Sequence, residues 1–120
     1  MADAELKRAF AELQQKMVET EQRMRMADAQ IDGLKRSVKR TILTKQEISG
    51  LPEGTRTYDS VGRCFILRPA DDISKMLDDR VKTSEERIKT LDEQKGYMEK
   101  NVKESQESLR ELVRQKQSRA

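Results

Sequence analysis

The chain has 120 residues, of which 39% are charged, 34% apolar and 3% aromatic, and it has no tryptophan. A compact globular core needs more apolar volume than this, whereas a two-helix seam needs only about two apolar residues in seven. Basic and acidic residues number 25 and 22 and leave a net charge of +3, which gives little reason to expect a nucleic-acid partner.

A heptad pattern predicts a first helical arm over residues 4–41. Heptad positions recur in alternating steps of four and three, and all but one of them are apolar: Leu6, Phe10, Leu13, Met17, Thr20, Met24, Ala27, Ile31, Leu34 and Val38. A 3.5-residue period held over about five heptads predicts that this face meets a partner helix along its whole length. The methionines of the series are interpreted as seam packing.

A basic cluster near the end of this arm consists of Lys35, Arg36, Lys39 and Arg40. Cations are favoured in the last turn of a helix, where the macrodipole is negative. The cluster is therefore interpreted as a helix-end feature, and so is a second basic cluster near the end of the chain, Arg114, Lys116 and Arg119.

The connector after the first arm contains a predicted short helix at residues 44–50. Thr44 and Glu47 have the spacing of a capping box, and Gly50 followed by Pro52 is a stop signal. A turn at residues 52–54 then leads into the next element.

The segment 55–68 is the only part of the chain with β character, and it predicts a hairpin. Its second half is a short run of bulky apolar residues, and Gly62 lies where a tight turn needs a positive φ. Cys64 alternates with Ile66 along the second strand, which favours a small buried residue over a redox centre.

A second helical arm is predicted over residues 70–117, following Pro69. Its heptad positions are Leu77, Val81, Ser84, Ile88, Leu91, Lys95, Met98, Val102, Ser105, Leu109, Leu112 and Lys116. Because the hairpin reverses the chain, the two arms are expected to pair antiparallel, with Val38 opposite Leu77 and Leu6 opposite Leu109. In that register Leu112 and Val113 lie beyond the first arm and remain uncovered.

The fold class is thus predicted to be mainly α, a single domain over residues 1–120 in which a long antiparallel two-helix coiled coil carries a central β-hairpin. No catalytic, cofactor or metal site is expected, since the chain has no histidine and one cysteine and contains no phosphate-binding loop. The lone cysteine favours a reducing compartment, and no signal peptide or membrane span is indicated, so a cytoplasmic location is expected.

Two apolar surfaces are candidates for binding. A two-stranded hairpin is marginal alone in water, so the apolar hairpin is expected to assemble with other hairpins rather than only cap its own helices. At the other end of the arms, apolar side chains concentrate where a coiled coil ordinarily becomes polar, either to close the seam or to grip a ligand. These candidate tip residues are Leu6, Phe10, Leu109, Leu112 and Val113.

The pattern Tyr58-x-x-Val61-Gly62-x-x-Phe65, preceded by Leu51-Pro52 and set between two heptad arms, resembles the β-type subunits of prefoldin. The similarity extends over essentially the whole chain, and the hairpin is its most specific part. The resemblance implies a heterohexamer of two α-type and four β-type subunits, with a double β-barrel body and coiled-coil tentacles.

The resemblance further implies capture of unfolded polypeptides, notably actin and tubulin, without ATP, and their delivery to the cytosolic chaperonin. The hairpin would be the assembly element, with the tip residues as the client-binding element. The assembly residues implied in this way are Tyr58, Val61, Gly62, Cys64, Phe65, Ile66 and Leu67.

Two other classes remain open on the sequence. A structural or adaptor coiled-coil protein would form a homodimeric helical bundle with one folded partner. A nucleic-acid-binding protein would use the basic clusters and would lose affinity steeply with salt.

Overall fold

The computed structural model describes residues 2–118, with side chains over residues 4–118. It contains, in chain order, α1 (Ala2–Ser49), β1 (Thr57–Val61), β2 (Cys64–Arg68) and α2 (Ala70–Ser118). Two long helices joined through an antiparallel two-stranded sheet confirm the predicted fold class.

The predicted end of the first arm at residue 41, with a separate short helix at 44–50, is wrong, because α1 continues unbroken to Ser49. Thr44 does not cap a new helix. Its hydroxyl donates to the backbone carbonyl of Arg40 at 2.8 Å, the bond that a threonine makes from within a helix. The helix ends at the first strong breaker, where the Gly50 N–H donates to the Gln46 carbonyl and the Leu51 N–H donates to that of Ile48.

The longer helix also changes the interpretation of the basic cluster at residues 35–40. No basic residue lies in the last turn of α1, since the cluster is followed by more than two further turns of helix. The helix dipole therefore does not account for it. In α2 the corresponding expectation agrees with the structure at Lys116, which lies in the last turn, while Arg119 lies outside the described residues.

Contacts divide the chain into two units, which are described separately. The hairpin-side unit is Ile31–Thr90, and the terminal unit comprises residues 2–30 and 91–118. The buried or half-buried positions of the helices largely follow the predicted four-three alternation in both units, but the seam positions Phe10 and Met17 are exposed. Among the described residues, the buried apolar ones are Ile31 and Leu77 in the hairpin-side unit and Ala27 and Leu91 in the terminal unit, and each keeps 4–8% of its surface exposed.

In the hairpin-side unit, the predicted pairing of Val38 with Leu77 is wrong by one heptad. Lys45 Nζ lies 2.5 Å from Asp78 Oδ1, which places the turn containing Lys45 beside Leu77. The cause is the extra length of α1, which carries the seam to Ser49 and lets the helices pair closer to the hairpin.

The terminal unit has the same shifted pairing. Lys16 Nζ donates to Ser105 Oγ at 2.7 Å, Lys116 Nζ lies 3.2 Å from Glu5 Oε2, and the Lys95 ammonium pairs with the Asp28 carboxylate. The register that pairs Val38 with Leu77 would place Lys95 opposite Thr20, whereas the structure places it beside Asp28. The core is therefore a single line of side chains between two helices, interrupted by a cation.

Candidate assembly and binding surfaces

The hairpin turn is built around Gly62. Its φ of +60° is followed by a non-glycine residue with negative φ, as in a two-residue turn with glycine at its first central position. Val61 and Cys64 are the last paired residues before this turn, and the pairing runs back to Thr57 and Arg68. The turn therefore fixes which side chains share a face.

One face of the hairpin carries Tyr58, Phe65 and Leu67, because directly opposed residues lie on the same side of a sheet. Their exposed fractions are 53%, 75% and 59%. Leaving apolar surface in water costs about 25 cal/mol for each Å². Large apolar side chains such as these therefore have the highest cost when they are exposed. The face is thus uncovered in the chain by itself.

The opposite face carries Val61, Cys64 and Ile66 together with an ion pair. Asp59 and Arg68 are both half-buried, and the Arg68 Nε lies 3.2 Å from the Asp59 Oδ2 across the two strands. Val61 and Ile66 remain 48% and 43% exposed. This face is covered only where the strands join the helices.

Cys64 is exposed, so the prediction that it is buried is wrong for this chain by itself. The residue lies at the turn end of β2, opposite Val61, which is the part of the hairpin farthest along the strands from both helices. Burial of Cys64 requires a surface that the chain does not supply.

Both strands also have a free edge. The sheet has two strands only, so one side of each strand presents backbone N–H and C=O groups to water. Such edges are templates for pairing with a further strand. The hairpin thus offers two apolar faces and two edges to a partner.

The terminal unit contains the five candidate tip residues, and they differ in exposure. Phe10 is 50% exposed, whereas the other four are half-buried. Leu112 and Val113 are not left uncovered as predicted, because the one-heptad shift places the start of α1 alongside them, as the contact of Lys116 with Glu5 shows. Phe10 is therefore the most open apolar side chain among the five.

A groove further along the terminal unit was missed by the sequence reasoning. It encloses about 680 Å³, and its apolar lining consists of Met17, Val18, Met24 and Val102. Met17 was interpreted as seam packing, but it is 40% exposed, and Val18 beside it is 51% exposed. The available signal was Val18 itself, a β-branched apolar residue outside the heptad positions.

The described residues lack two other kinds of site. Over residues 4–118, no group of three or more Cys, Asp or Glu side chains is placed to hold a metal ion. Within the part of the chain that is described, neither helix offers an apolar stretch of the length that a bilayer requires.

Comparison with known proteins decides the family. Residues 11–116 match the family model described as "Prefoldin subunit". Proteins named "Prefoldin subunit 1" from Tetraodon nigroviridis and Homo sapiens are 44% and 41% identical to the chain over 111 residues, which cover 92% of this chain and 91% of each relative. The chain belongs to the prefoldin family. A "Prefoldin subunit 1" from Arabidopsis thaliana is 36% identical over 115 residues, 96% of this chain and 90% of that relative.

A solved structure agrees with the prefoldin fold. The crystal structure of the prefoldin beta subunit from Thermococcus strain KS-1 aligns with a TM-score of 0.72 and 18% sequence identity, covering 92% of this chain and 93% of that one. Membership of the prefoldin family makes the chain a co-chaperone subunit, and it implies association with other prefoldin subunits. The adaptor and nucleic-acid alternatives therefore lose their basis as the main function.

Proposed function

We propose that the chain is a β-type subunit of a heterohexameric prefoldin that contains two α-type and further β-type subunits, and that residues 1–120 act in it as one domain. The observation that carries the assembly step is the hairpin, whose Phe65 is 75% exposed beside two free strand edges. Strand pairing with neighbouring hairpins would bury this face and satisfy the edges together. The assembly residues are Tyr58, Val61, Gly62, Cys64, Phe65, Ile66 and Leu67.

The second part of the proposal concerns the tips. The terminal unit captures unfolded or nascent polypeptides, actin and tubulin among them, through Leu6, Phe10, Leu109, Leu112 and Val113. Phe10 supplies the open apolar area, and the four half-buried residues support it. Weak contacts from several arms act together, since linked sites raise the overall affinity without requiring one tight contact.

The remaining parts of the proposal follow from the family. The subunit works without ATP, cofactor or catalysis, in the cytoplasm, and delivers its clients to the cytosolic chaperonin. A holding function of this kind needs apolar contact and release rather than chemistry, which suits a chain without histidine. The mixed charges of the helices support solubility while apolar residues are exposed.

The assembly step is tested by native mass spectrometry of the tagged chain recovered from its own cells. We expect a six-subunit particle with two α-type chains, and we expect Phe65→Asp to disperse it because a carboxylate cannot be buried there without a partner. Tyr97→Asp is the matched control, since Tyr97 is a 67% exposed aromatic outside the hairpin. Recovery of a homodimer alone, or equal loss of assembly in both variants, would contradict the proposal.

A further inference from the structure

The excess positive charge of the chain is confined to its hairpin-side unit. Residues 31–90 contain 13 Lys and Arg against 10 Asp and Glu, a surplus of three that equals the net charge of the whole chain. The charge of this unit is therefore a local feature, and its largest concentration is the cluster at residues 35–40.

The cluster has no ion-pair partner in the part of the chain whose side chains are described. Lys35, Arg36, Lys39 and Arg40 are exposed, and among residues 4–118 no carboxylate lies within ion-pair distance of them. Lys35 with Lys39, and Arg36 with Arg40, stand four residues apart, a spacing at which like charges destabilise a helix. The helix end is too distant to favour them, and no ion pair among residues 4–118 offsets this repulsion.

A groove beside the cluster is lined by groups that bind carboxylates. It encloses about 430 Å³ between α1 and α2, with Arg40 on one helix and Arg80 on the other. Arg80 is also exposed and has no ion pair within the described part of the chain. Guanidinium groups pair with carboxylates through two parallel hydrogen bonds, which makes the two arginines of this groove suitable partners for an acidic side chain.

Hydroxyl groups complete the lining, although the Thr41 hydroxyl already donates to the backbone carbonyl of Ser37 at 2.8 Å. Thr41 and Ser84 are half-buried in the groove, and Ser37 and Thr83 line it as well. We propose that this groove and the adjoining cluster bind an acidic segment of a non-native polypeptide held by the assembly. The inference rests on the proposed function, to which it adds a second contact that selects clients by charge.

An acidic polypeptide fits this surface better than a nucleic acid. Asp79 also lines the groove, and the neighbouring turns of α2 carry Asp78, Glu85 and Glu86. The closely spaced negative charges of a nucleic-acid backbone would lie near these carboxylates and be repelled by them. A short peptide can place a few carboxylates on the basic side and leave its remaining residues neutral.

The test measures fluorescence anisotropy of a short labelled peptide of glutamate and serine, added to the assembly recovered from its own cells. A glutamine–serine peptide and a single-stranded oligonucleotide of equal length serve as competitors. Glutamine keeps helix propensity while removing charge. The groove variant and the control variant each remove four exposed cations without an ion pair among the described residues: Lys35→Gln, Arg36→Gln, Lys39→Gln and Arg40→Gln, against Lys75→Gln, Lys82→Gln, Lys89→Gln and Lys100→Gln.

We expect the groove variant to weaken peptide binding about tenfold or more, and the control variant about twofold or less, since each removed ion pair contributes a small increment. Binding should also fall with salt. Equal loss in both variants, absence of peptide binding, or stronger displacement by the oligonucleotide would overturn the inference. Suppression of aggregation of a neutral unfolded client should be the same in both variants, so a failure of the capture function itself is seen separately.

Discussion

At the scale of single residues, glycine has opposite energetic consequences at different places in this chain. Gly33 and Gly96 lie inside α1 and α2, and a Cβ added at either would meet no atom within 4 Å. Gly62 lies in the hairpin turn with a φ of +60°, where an L side chain is strained. The same substitution is therefore expected to change stability in opposite directions.

Gly33→Ala and Gly96→Ala should each raise the free energy of unfolding by about 0.5–1 kcal/mol, because alanine loses less backbone entropy in a helix. Gly62→Ala should lower it by about 1–2 kcal/mol, the usual cost of a left-handed conformation. Urea unfolding of the full-length chain, followed by helical circular dichroism, measures all three. A stabilising effect of Gly62→Ala would contradict the assigned turn.

Lys95 is a second residue whose surroundings set its energetics. Its side chain is 24% exposed at a seam position, and its ammonium pairs with the Asp28 carboxylate. The pKa of Lys95 is raised, chiefly by the hydrogen bond to Asp28 and further by the charges of Asp28, Asp92 and Glu99, while burial partly offsets the rise. A cation at a seam position reduces stability and favours one register over others.

The sign of the pH dependence follows from the raised pKa. The pair stabilises the fold fully below 10.5, the ordinary lysine pKa, and this contribution is lost as the pH rises through the higher folded-state value. Asp28→Asn should therefore lower Tm at neutral pH, and its difference from the unsubstituted chain should shrink well above pH 10.5. Asp32→Asn, an exposed carboxylate one turn along without an ion pair among residues 4–118, is the control. A difference that persists at high pH would argue against the pair.

At the scale of elements, sequence periodicity predicts much of this fold. The four-three alternation is sufficient to predict both helices, because an apolar period held at 3.5 residues is characteristic of helices that pair along their length. Gly62 between two candidate strands, the second of them an apolar run, is sufficient to predict the hairpin and its turn. These are local signals, and each is set by residues close together in the sequence.

The helix end and the register could not be predicted in the same way. A Thr44-x-x-Glu47 pattern occurs both at helix starts and within helices, and only the hydrogen bond from Thr44 to the Arg40 carbonyl decides between them. A shift of one heptad places seam residues opposite seam residues equally well, so alternation alone does not select the register. The true length of α1 selects it, and ion pairs such as Lys45 with Asp78 fix it.

The exposure of the candidate surfaces also depends on features set by residues that are distant in the sequence. Leu112 and Val113 are half-buried because of the register, and Cys64 is exposed because the chain supplies no cover for it. The sequence thus predicts which residues lie at each candidate surface, but it does not predict how much of each side chain is exposed. The groove at Met17 and Val18 has the same explanation.

At the scale of the whole molecule, the proposed division between assembly and capture is open to a selective test at Phe10. Phe10→Ser removes an aromatic side chain that is 50% exposed and should leave helix pairing largely intact. We expect a reduced ability to suppress aggregation of an unfolded client, by about twofold to tenfold for a contact of 0.5–1.5 kcal/mol. Light scattering during dilution of a denatured client measures it.

Met26→Ser is the matched control for this experiment, since Met26 is a 64% exposed apolar residue on the same helix and outside the candidate tip. Assembly, monitored by native mass spectrometry, should be retained in both variants. Equal loss of capture in the two would show that apolar area anywhere on α1 is sufficient, and it would remove the special role assigned to the tip.

The single line of buried side chains between α1 and α2 has a consequence for divergence. In a core one residue deep, each layer of side chains contacts only the adjacent layers. A substitution therefore disturbs packing locally, as in a repeat protein. Any seam residue of suitable size then serves, and helix packing places little constraint on the exposed positions. The archaeal β subunit has the same fold with a TM-score of 0.72 at 18% identity. Helices paired in this way can keep their fold while most of their residues change during evolution. The exposed surface of the arms can therefore differ from one lineage to another.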